Sequence, residues 1–483
     1  MTRYFQYRIP AGRLLGLWLL LMALPGCKKY LEVPPPINTI SGADAFQNDN
    51  TAAQAVSYVY SGLLNLNVFD GSGVGFYMGM YGDELKNQSI LPVYLSLYGD
   101  VVGSSDNVTT FWTTIYRHLY AVNAAIEGLT PATELNYRSQ WLGEAYFLRG
   151  LLYSYLTNLY GDVPMVLGSD YLTNNGLARG PQADVYQQIL SDLKQAQTLL
   201  DNQYHDGTGA VTTGRGRPNK AAATALLARV YLYLKDWKNA EAQAESCIAD
   251  AVNYQLAPVS KVFLVNSTEV IWGLVPYQAP SFPYLVKDAR TYYLPAGVTP
   301  ALVGIPATLA DSLVAAFEPG DARYAAWVGK DTVPASGSAP ATVYYYAYKY
   351  QATGTYTEAQ EIVAMLRLAE LYLIRAEARA QQNKLSGALA DLNAVRNRAG
   401  LPASAALSQA DVLAAILHER RVELFLEEGH RFFDLRRTGN LDAVMNVLAP
   451  LKGGTWASFK AWWPIPLTDI QNDPHLVQTP GYQ

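Results

Sequence analysis

Two alanine-rich amphipathic segments joined by only four residues must fold back on each other, and this chain carries that arrangement twice. Leu226, Leu227, Val230, Tyr231 and Leu234 fall on one helical stripe. Ala240, Ala244, Cys247, Ile248 and Ala251 fall on the next, with Lys235-Asp236-Trp237-Lys238 between them. A connection that short makes an antiparallel helical hairpin. Ala221, Ala222, Ala223, Ala225 and Ala228 let the two backbones approach closely. The design returns with Leu366, Ala369, Leu373, Ala376 and Ala380, a turn at Asn383-Lys384-Leu385-Ser386, and a second stripe of Ala388, Leu392, Val395 and Ala399. Gly400 is placed to end that helix.

Such pairs are the units of tetratricopeptide-like stacks. Further helices are expected at 44–66, 108–129, 134–160, 181–201 and 409–428. A regular solenoid would repeat about every 34 residues, and this chain does not. The expected fold is mainly α: a tetratricopeptide-like helical-hairpin scaffold with a second irregular, loop-rich layer carrying short strands. The helical pairs fall at about 44–129, 134–201, 218–251 and 363–428. The irregular insertions fall at about 67–107 and 254–360, both rich in aromatics and glycine or proline. Long stretches of that kind in a compact protein are usually functional.

The amino terminus supplies an address. Residues 1–13 hold three arginines and no acid, and Leu14–Leu24 is an apolar run, shorter than the roughly 20 residues of a membrane-spanning helix. Gly26-Cys27 follows. This reads as a lipoprotein signal peptide over 1–26, with lipid on Cys27 and an extended tether over 27–43 containing Val33-Pro-Pro-Pro-Ile37. Residues 44–483 then form a single body. No later segment is apolar for long enough to span a membrane, so the chain is expected to be anchored to one. The other cysteine, Cys247, lies on an apolar helical face and carries no role.

Composition excludes several classes. Charged residues make up 16% of the chain and the formal net charge is −5, without the basic patch a nucleic-acid partner needs. The five histidines form no metal-ligand pair at helical spacing, and no metal or cofactor is expected. Gly71–Gly75 matches neither a dinucleotide fingerprint nor a P-loop. Gly214–Lys220 lacks the following Ser or Thr and instead precedes a helix expected to start near Pro218. No Gly-x-Ser-x-Gly elbow is present.

A set of short motifs in fixed order is more specific. Glu144-Ala-Tyr-Phe-Leu-Arg149 is followed by Tyr160-Gly-Asp-Val-Pro164, then by Leu227-Ala-Arg-Val-Tyr-Leu232. Ala376-Glu-Ala378, Asp391-Leu-Asn393, Val395-Arg396 and Arg398-Ala-Gly-Leu401 come next. Glu419-Arg-Arg421, Glu423-Leu424, Glu428-Gly429, Arg431 and Asp434-Leu-Arg436 follow, and Trp463-Pro-Ile-Pro466 and Pro480-Gly-Tyr482 close the chain. This ordered set resembles the SusD/RagB-like family of outer-membrane nutrient-binding lipoproteins. The resemblance implies a surface-exposed outer-membrane lipoprotein that is not an enzyme. It would capture oligosaccharides, or peptides, and pass them to a TonB-dependent SusC-like transporter.

The motifs themselves read as scaffold. Glu419, Glu423 and Glu427 are spaced four apart, where like charges repel on a helix. The expectation is a structural network in which nearby Arg420, Arg421, Arg431, Arg436 and Arg437 answer them, with Glu428 and Asp434 included. Ligand contacts are expected in the insertions. An aromatic ring takes the C–H face of a sugar, and polar side chains take its hydroxyls. The chain has 35 tyrosines against 13 phenylalanines. The aromatic candidates are Tyr77, Tyr81, Tyr94 and Tyr98 in the first insertion, and Trp272, Tyr277, Tyr284, Tyr292, Tyr293 and Trp327 in the second. Asp83, Asn87 and Arg290 are their polar companions. Two other readings stay open: a tetratricopeptide-like scaffold that binds only proteins, and a surface glycan hydrolase with two convergent carboxylates.

Overall fold

The computed structural model describes residues 45–66, 68–278, 283–337 and 340–482. The signal peptide, Cys27 and the tether lie outside them. The scaffold helices are α1 (Asp49–Asn65), α4 (Thr109–Leu129), α5 (Arg138–Tyr160), α6 (Gln182–Leu199), α7 (Lys220–Tyr233), α8 (Trp237–Ile248), α10 (Leu368–Gln381), α11 (Leu385–Arg398) and α12 (Gln409–Glu423). Each packs on the next along the chain, from α1 on α4 through α6 on α7 to α8 on α10, and α10 carries both α11 and α12. The result is the tetratricopeptide-like stack expected from the stripes.

Local chemistry sets the hairpins. Asn219 caps α7 by accepting from the Ala222 amide at 3.1 Å. Asp236 caps α8 by accepting from the Asn239 amide at 3.2 Å. Lys235 and Asn383 turn the chain in the left-handed region, with φ of 59° and 60°. Ala222, Ala223, Ala225 and Ala228 are fully buried at the crossings.

The second layer holds α2 (Val74–Tyr81), α3 (Pro92–Tyr98), the one-turn α9 (Asp288–Thr291), α13 (His430–Arg437) and α14 (Leu441–Leu451). Its strands are β1 (Leu85–Asn87), β2 (Val270–Leu274), β3 (Ala307–Leu309), β4 (Val328–Val333), β5 (Thr342–Ala347) and β6 (Val363–Arg367). They pair antiparallel as β1 with β3, β2 with β6, and β4 with β5.

α2 lies in a stretch expected to be without helix. Seven of its eight residues are buried, so it has no polar face and no amphipathic period to read. Its glycines permit close approach. A Cβ on Gly75 would sit 2.5 Å from the carbonyl oxygen of Leu426, and one on Gly79 would meet the Leu426 side chain at 2.5 Å. Gly→Ala inside a helix normally gains up to about 1 kcal/mol. Here Gly75→Ala is expected to cost about 1–3 kcal/mol through overpacking, read as a lower urea midpoint.

The glutamate block differs from expectation in its partners. α12 ends at Glu423, and the chain then passes through left-handed Leu426 (φ 57°), Glu428 (φ 41°) and Gly429 (φ 82°). Glu423 and Glu427 therefore do not share a helical face. Cations remote in sequence answer the three acids. Glu419 accepts from Arg323 at 2.6 Å and Arg396 at 3.3 Å. Glu423 accepts from Arg323 at 2.8 Å, from Arg367 at 2.5 Å and from Arg398. Glu427 accepts from Arg367 at 2.7 Å and Lys349 at 2.5 Å. Burial would raise the Glu423 carboxyl, but Arg398, Arg367 and Arg323 hold it well below the usual carboxylate range.

The nearby arginines serve other partners. Arg420 meets Asp434 at 2.6 Å. Arg421 and Arg431 meet Asp83 at 3.1 and 2.7 Å. Arg437 meets Glu377 and Asp434. Arg436 donates to the carbonyls of Asn158 and Ala461 at 2.6 and 2.8 Å. Glu428 makes no ion pair among the described residues.

Candidate functional site

The two insertions meet where β1 pairs with β3. Leu85, Lys86 and Asn87 lie opposite Leu309, Thr308 and Ala307, and the Gln88 amide continues the ladder to the Pro306 carbonyl at 2.8 Å. The chain then turns. Asn87 accepts from the Ser89 amide at 2.9 Å and donates to the Ser89 carbonyl at 2.8 Å. Pro92 opens α3 at its first position, where no backbone donor is needed.

This turn, α9 and residues 301–306 enclose an open depression of about 510 Å³. Gln88, Ser89, Tyr94, Arg290, Thr291 and Ile305 line it. Gln88 is fixed by donating to the Thr308 hydroxyl at 2.9 Å, and Arg290 donates to the Thr353 carbonyl at 3.2 Å. Ile305 also belongs to a tyrosine cluster beside the depression. There Tyr346 sits edge-to-face with Tyr293 and with Tyr348, both at 5.8 Å, and Tyr344 packs alongside. Tyr345, on the other face of β5, packs on the main core.

The structure thus brings Tyr94 and Arg290 to one cavity, with Tyr293 at its edge. Gln88, Ser89, Thr291 and Ile305 were not singled out in the sequence. The polar run Asn87-Gln-Ser89 after a short strand was the available signal for the first two.

Several candidates lie elsewhere. Trp272 and Trp327 are wholly buried. Trp272 donates to the Gly216 carbonyl at 3.2 Å and meets Phe147 edge-on. Trp327 donates to the Val259 carbonyl at 3.0 Å. Both rings are spent on the core and offer no platform to a ligand. Tyr77, Tyr81 and Tyr292 are buried as well. Tyr77 packs on Phe111 and Trp463, and Tyr81 donates to the Lys460 carbonyl at 2.9 Å. Asp83 is buried between Arg421 and Arg431, and Asn87 shapes its own turn. Tyr98 packs half-buried under the Lys452 ammonium, 5.1 Å from its ring centre. Tyr277 stands exposed at a separate depression of about 360 Å³ shared with Tyr60 and Arg217. Tyr284 is half-buried with φ 57°, its amide donating to the Tyr277 carbonyl. A groove of about 740 Å³ between scaffold helices and the helices α13 and α14 holds Leu413, Leu417 and Trp237 and none of the ligand candidates.

Known proteins resemble the chain along most of its length. A family model described as "SusD family" matches residues 322–482. One described as "Starch-binding associating with outer membrane" matches residues 71–232. The SusD-like protein P25 of Formosa agariphila is 24% identical, covering 94% of this chain and 95% of its own. The starch-binding protein SusD of Bacteroides thetaiotaomicron is 26% identical over 74% of this chain and 75% of its own. A solved laminarin-binding SusD-like protein superposes with a TM-score of 0.74 at 23% identity, covering 90% of this chain and 100% of that one.

Proposed function

Since the chain belongs to the SusD/RagB-like family, we propose that it captures oligosaccharides in the cavity at Tyr94 and Arg290. It would release them to a TonB-dependent SusC-like transporter while held to the outer membrane by lipid on Cys27, facing the exterior. The carrying observation is the cavity itself, assembled from both irregular insertions and flanked by a tyrosine cluster.

The chemistry supports capture. Tyr94 offers a half-buried ring for a sugar face, and Gln88, Ser89, Arg290 and Thr291 offer hydrogen bonds. Each such bond, exchanged with water, nets about 0.5–1.5 kcal/mol. A few of them give reversible binding, as hand-over requires. The described residues lining the cavity include no Asp or Glu, so a glycosidase pair of carboxylates finds no support there. Starch and laminarin relatives favour a glycan over a peptide.

A soluble chain starting after Cys27 is to be screened against laminarin, starch and other oligosaccharides and against peptides, with product analysis. Tyr94→Ala and Arg290→Ala are each expected to weaken the glycan found about tenfold or more, roughly 1.4 kcal/mol, while Tyr277→Ala changes little. New products, or loss of affinity only in Tyr277→Ala, would move the assignment away from this cavity.

A further inference from the structure

The one-turn helix α9 is a wall with two faces. Arg290 and Thr291 line the outer cavity. Asp288, and Tyr292 just beyond the helix, line a small chamber behind it, together with Lys349, Tyr350, Glu427 and Glu428. The inner end of the wall is pinned by Asp70, which accepts from the Lys287 amide at 2.8 Å and the Asp288 amide at 3.2 Å.

Glu428 is aimed into that chamber by unusual backbone. Its own φ is 41° and that of Leu426 is 57°. The turn is clamped just beyond α2, where the Leu426 amide donates to Glu84 at 3.1 Å. Glu428 is only 7% exposed and Tyr292 only 3%. Among the described residues, the Glu428 Oε2 and the Tyr292 hydroxyl have no hydrogen-bond partner. Buried polar atoms left this way are rare and call for an explanation.

Charge supplies one. The cations facing Glu428 are engaged elsewhere: Lys349 by Glu427 at 2.5 Å, and Arg229 by Glu370 at 2.7 Å on the far side. Glu428 is also faced there by His430, Tyr155, Tyr186 and Tyr233, and on the chamber side by Asp288, Tyr292 and Tyr350. Two buried carboxyls in one small chamber without a cation of their own do not both ionise. Burial, then Glu427 and Asp288, pushes the Glu428 carboxyl well above the usual carboxylate range. Burial, then Asp70, does the same to Asp288.

We infer that Glu428 is a positioning residue for the outer cavity: its carboxyl and the Tyr292 hydroxyl, both buried and lining one chamber of about 10 Å³, are bridged by a single water, and that bridge holds Arg290 and Thr291 in place. The link to ligand capture rests on the function proposed above, and the positioning itself does not. Loss of the proton turns a donor into a buried anion beside the Asp288 carboxyl and loosens the wall.

Amide hydrogen exchange of residues 286–292 in the unliganded chain tests this directly. Protection, corrected for intrinsic rate, is expected to fall on the order of tenfold between a neutral and an alkaline pH at which the native protein stays folded. In Glu428→Gln, whose amide keeps a donor and cannot ionise, protection stays level. Tyr292→Phe, which removes one end of the bridge and keeps the ring, lowers protection at both pH values. A native wall that keeps its protection at the higher pH, or a Glu428→Gln chain that loses it in step with the native one, overturns the role. Laminarin-oligosaccharide affinity over the same range reads the consequence for capture. A ligand that binds equally well at both pH values while the wall loosens would instead unseat the cavity as the capture site.

Discussion

Arg367→Met is expected to destabilise the protein by about 3–5 kcal/mol, enough to unfold most single domains under mild denaturant. Arg367 is 1% exposed and every donor of its guanidinium is used. Nε and NH2 hold Glu427 at 2.7 and 2.9 Å, NH1 holds Glu269 at 2.8 Å and Glu423 at 2.5 Å, and NH2 also reaches the Glu423 carbonyl at 2.9 Å. Met fills nearly the same volume, so the loss is electrostatic: buried acids lose a shared partner and cannot reach water. Arg367→Lys is expected to recover little, because one ammonium cannot span a fork of three carboxylates. The control is Lys86→Met. That residue pairs with Asp311 at 2.8 Å, but the partners are 47% and 78% exposed, and its loss should stay below about 1 kcal/mol. Urea unfolding with an unchanged slope measures both. A loss under about 1 kcal/mol for Arg367→Met would mean the network contributes no more than surface pairs do.

That network also marks where sequence reasoning reaches its limit. The hairpins were legible because their information is local: the stripes of α7 and α8, the four-residue turn and the stop at Gly400 all act within a few residues. The partners of Glu419 and Glu423 were not, because Arg323 and Arg367 arrive from about 100 and 56 residues away through tertiary packing that no local pattern announces. α2 was missed for a related reason, since a helix buried on all sides has no polar face. The candidate site divides along the same line. Tyr94 and Arg290 were legible as aromatic and polar residues in irregular segments. Their meeting in one cavity depends on β1 finding β3 across more than two hundred residues. Trp272 and Trp327 looked like platforms because a large aromatic in an insertion carries no sign of which way it faces. β2 turns Trp272 onto Phe147, and a short helix turns Trp327 onto Phe263.

Glu84 gives the protein an expected stability minimum on the alkaline side of neutrality. Burial, then the neighbouring Asp83, raises its carboxyl from 4.5 to about 8. The unfolded chain releases this proton near 4.5, while the folded chain keeps it up to about 8. Between those values the folded state binds more protons, so its stability falls as pH rises, by at most about 1.4 kcal/mol per pH unit. The contribution is fully present below the unfolded value and is gone once pH passes the folded one. His118, lowered by burial from 6.5 to about 4, has the opposite sign, but only below 6.5. Lys349, lowered by burial from 10.5 to about 8, also opposes it, but only above 8. The window from 6.5 to 8 therefore belongs to the buried acids. Glu84→Gln keeps a carbonyl oxygen for the Leu426 amide and has no proton to lose. It is expected to match the native protein near its acid limit and to exceed it by at least about 2 kcal/mol at pH 8. Urea midpoints taken across that window decide the matter: converging curves toward acid and diverging curves toward pH 8 place the proton on Glu84, whereas parallel curves would assign the slope to other groups.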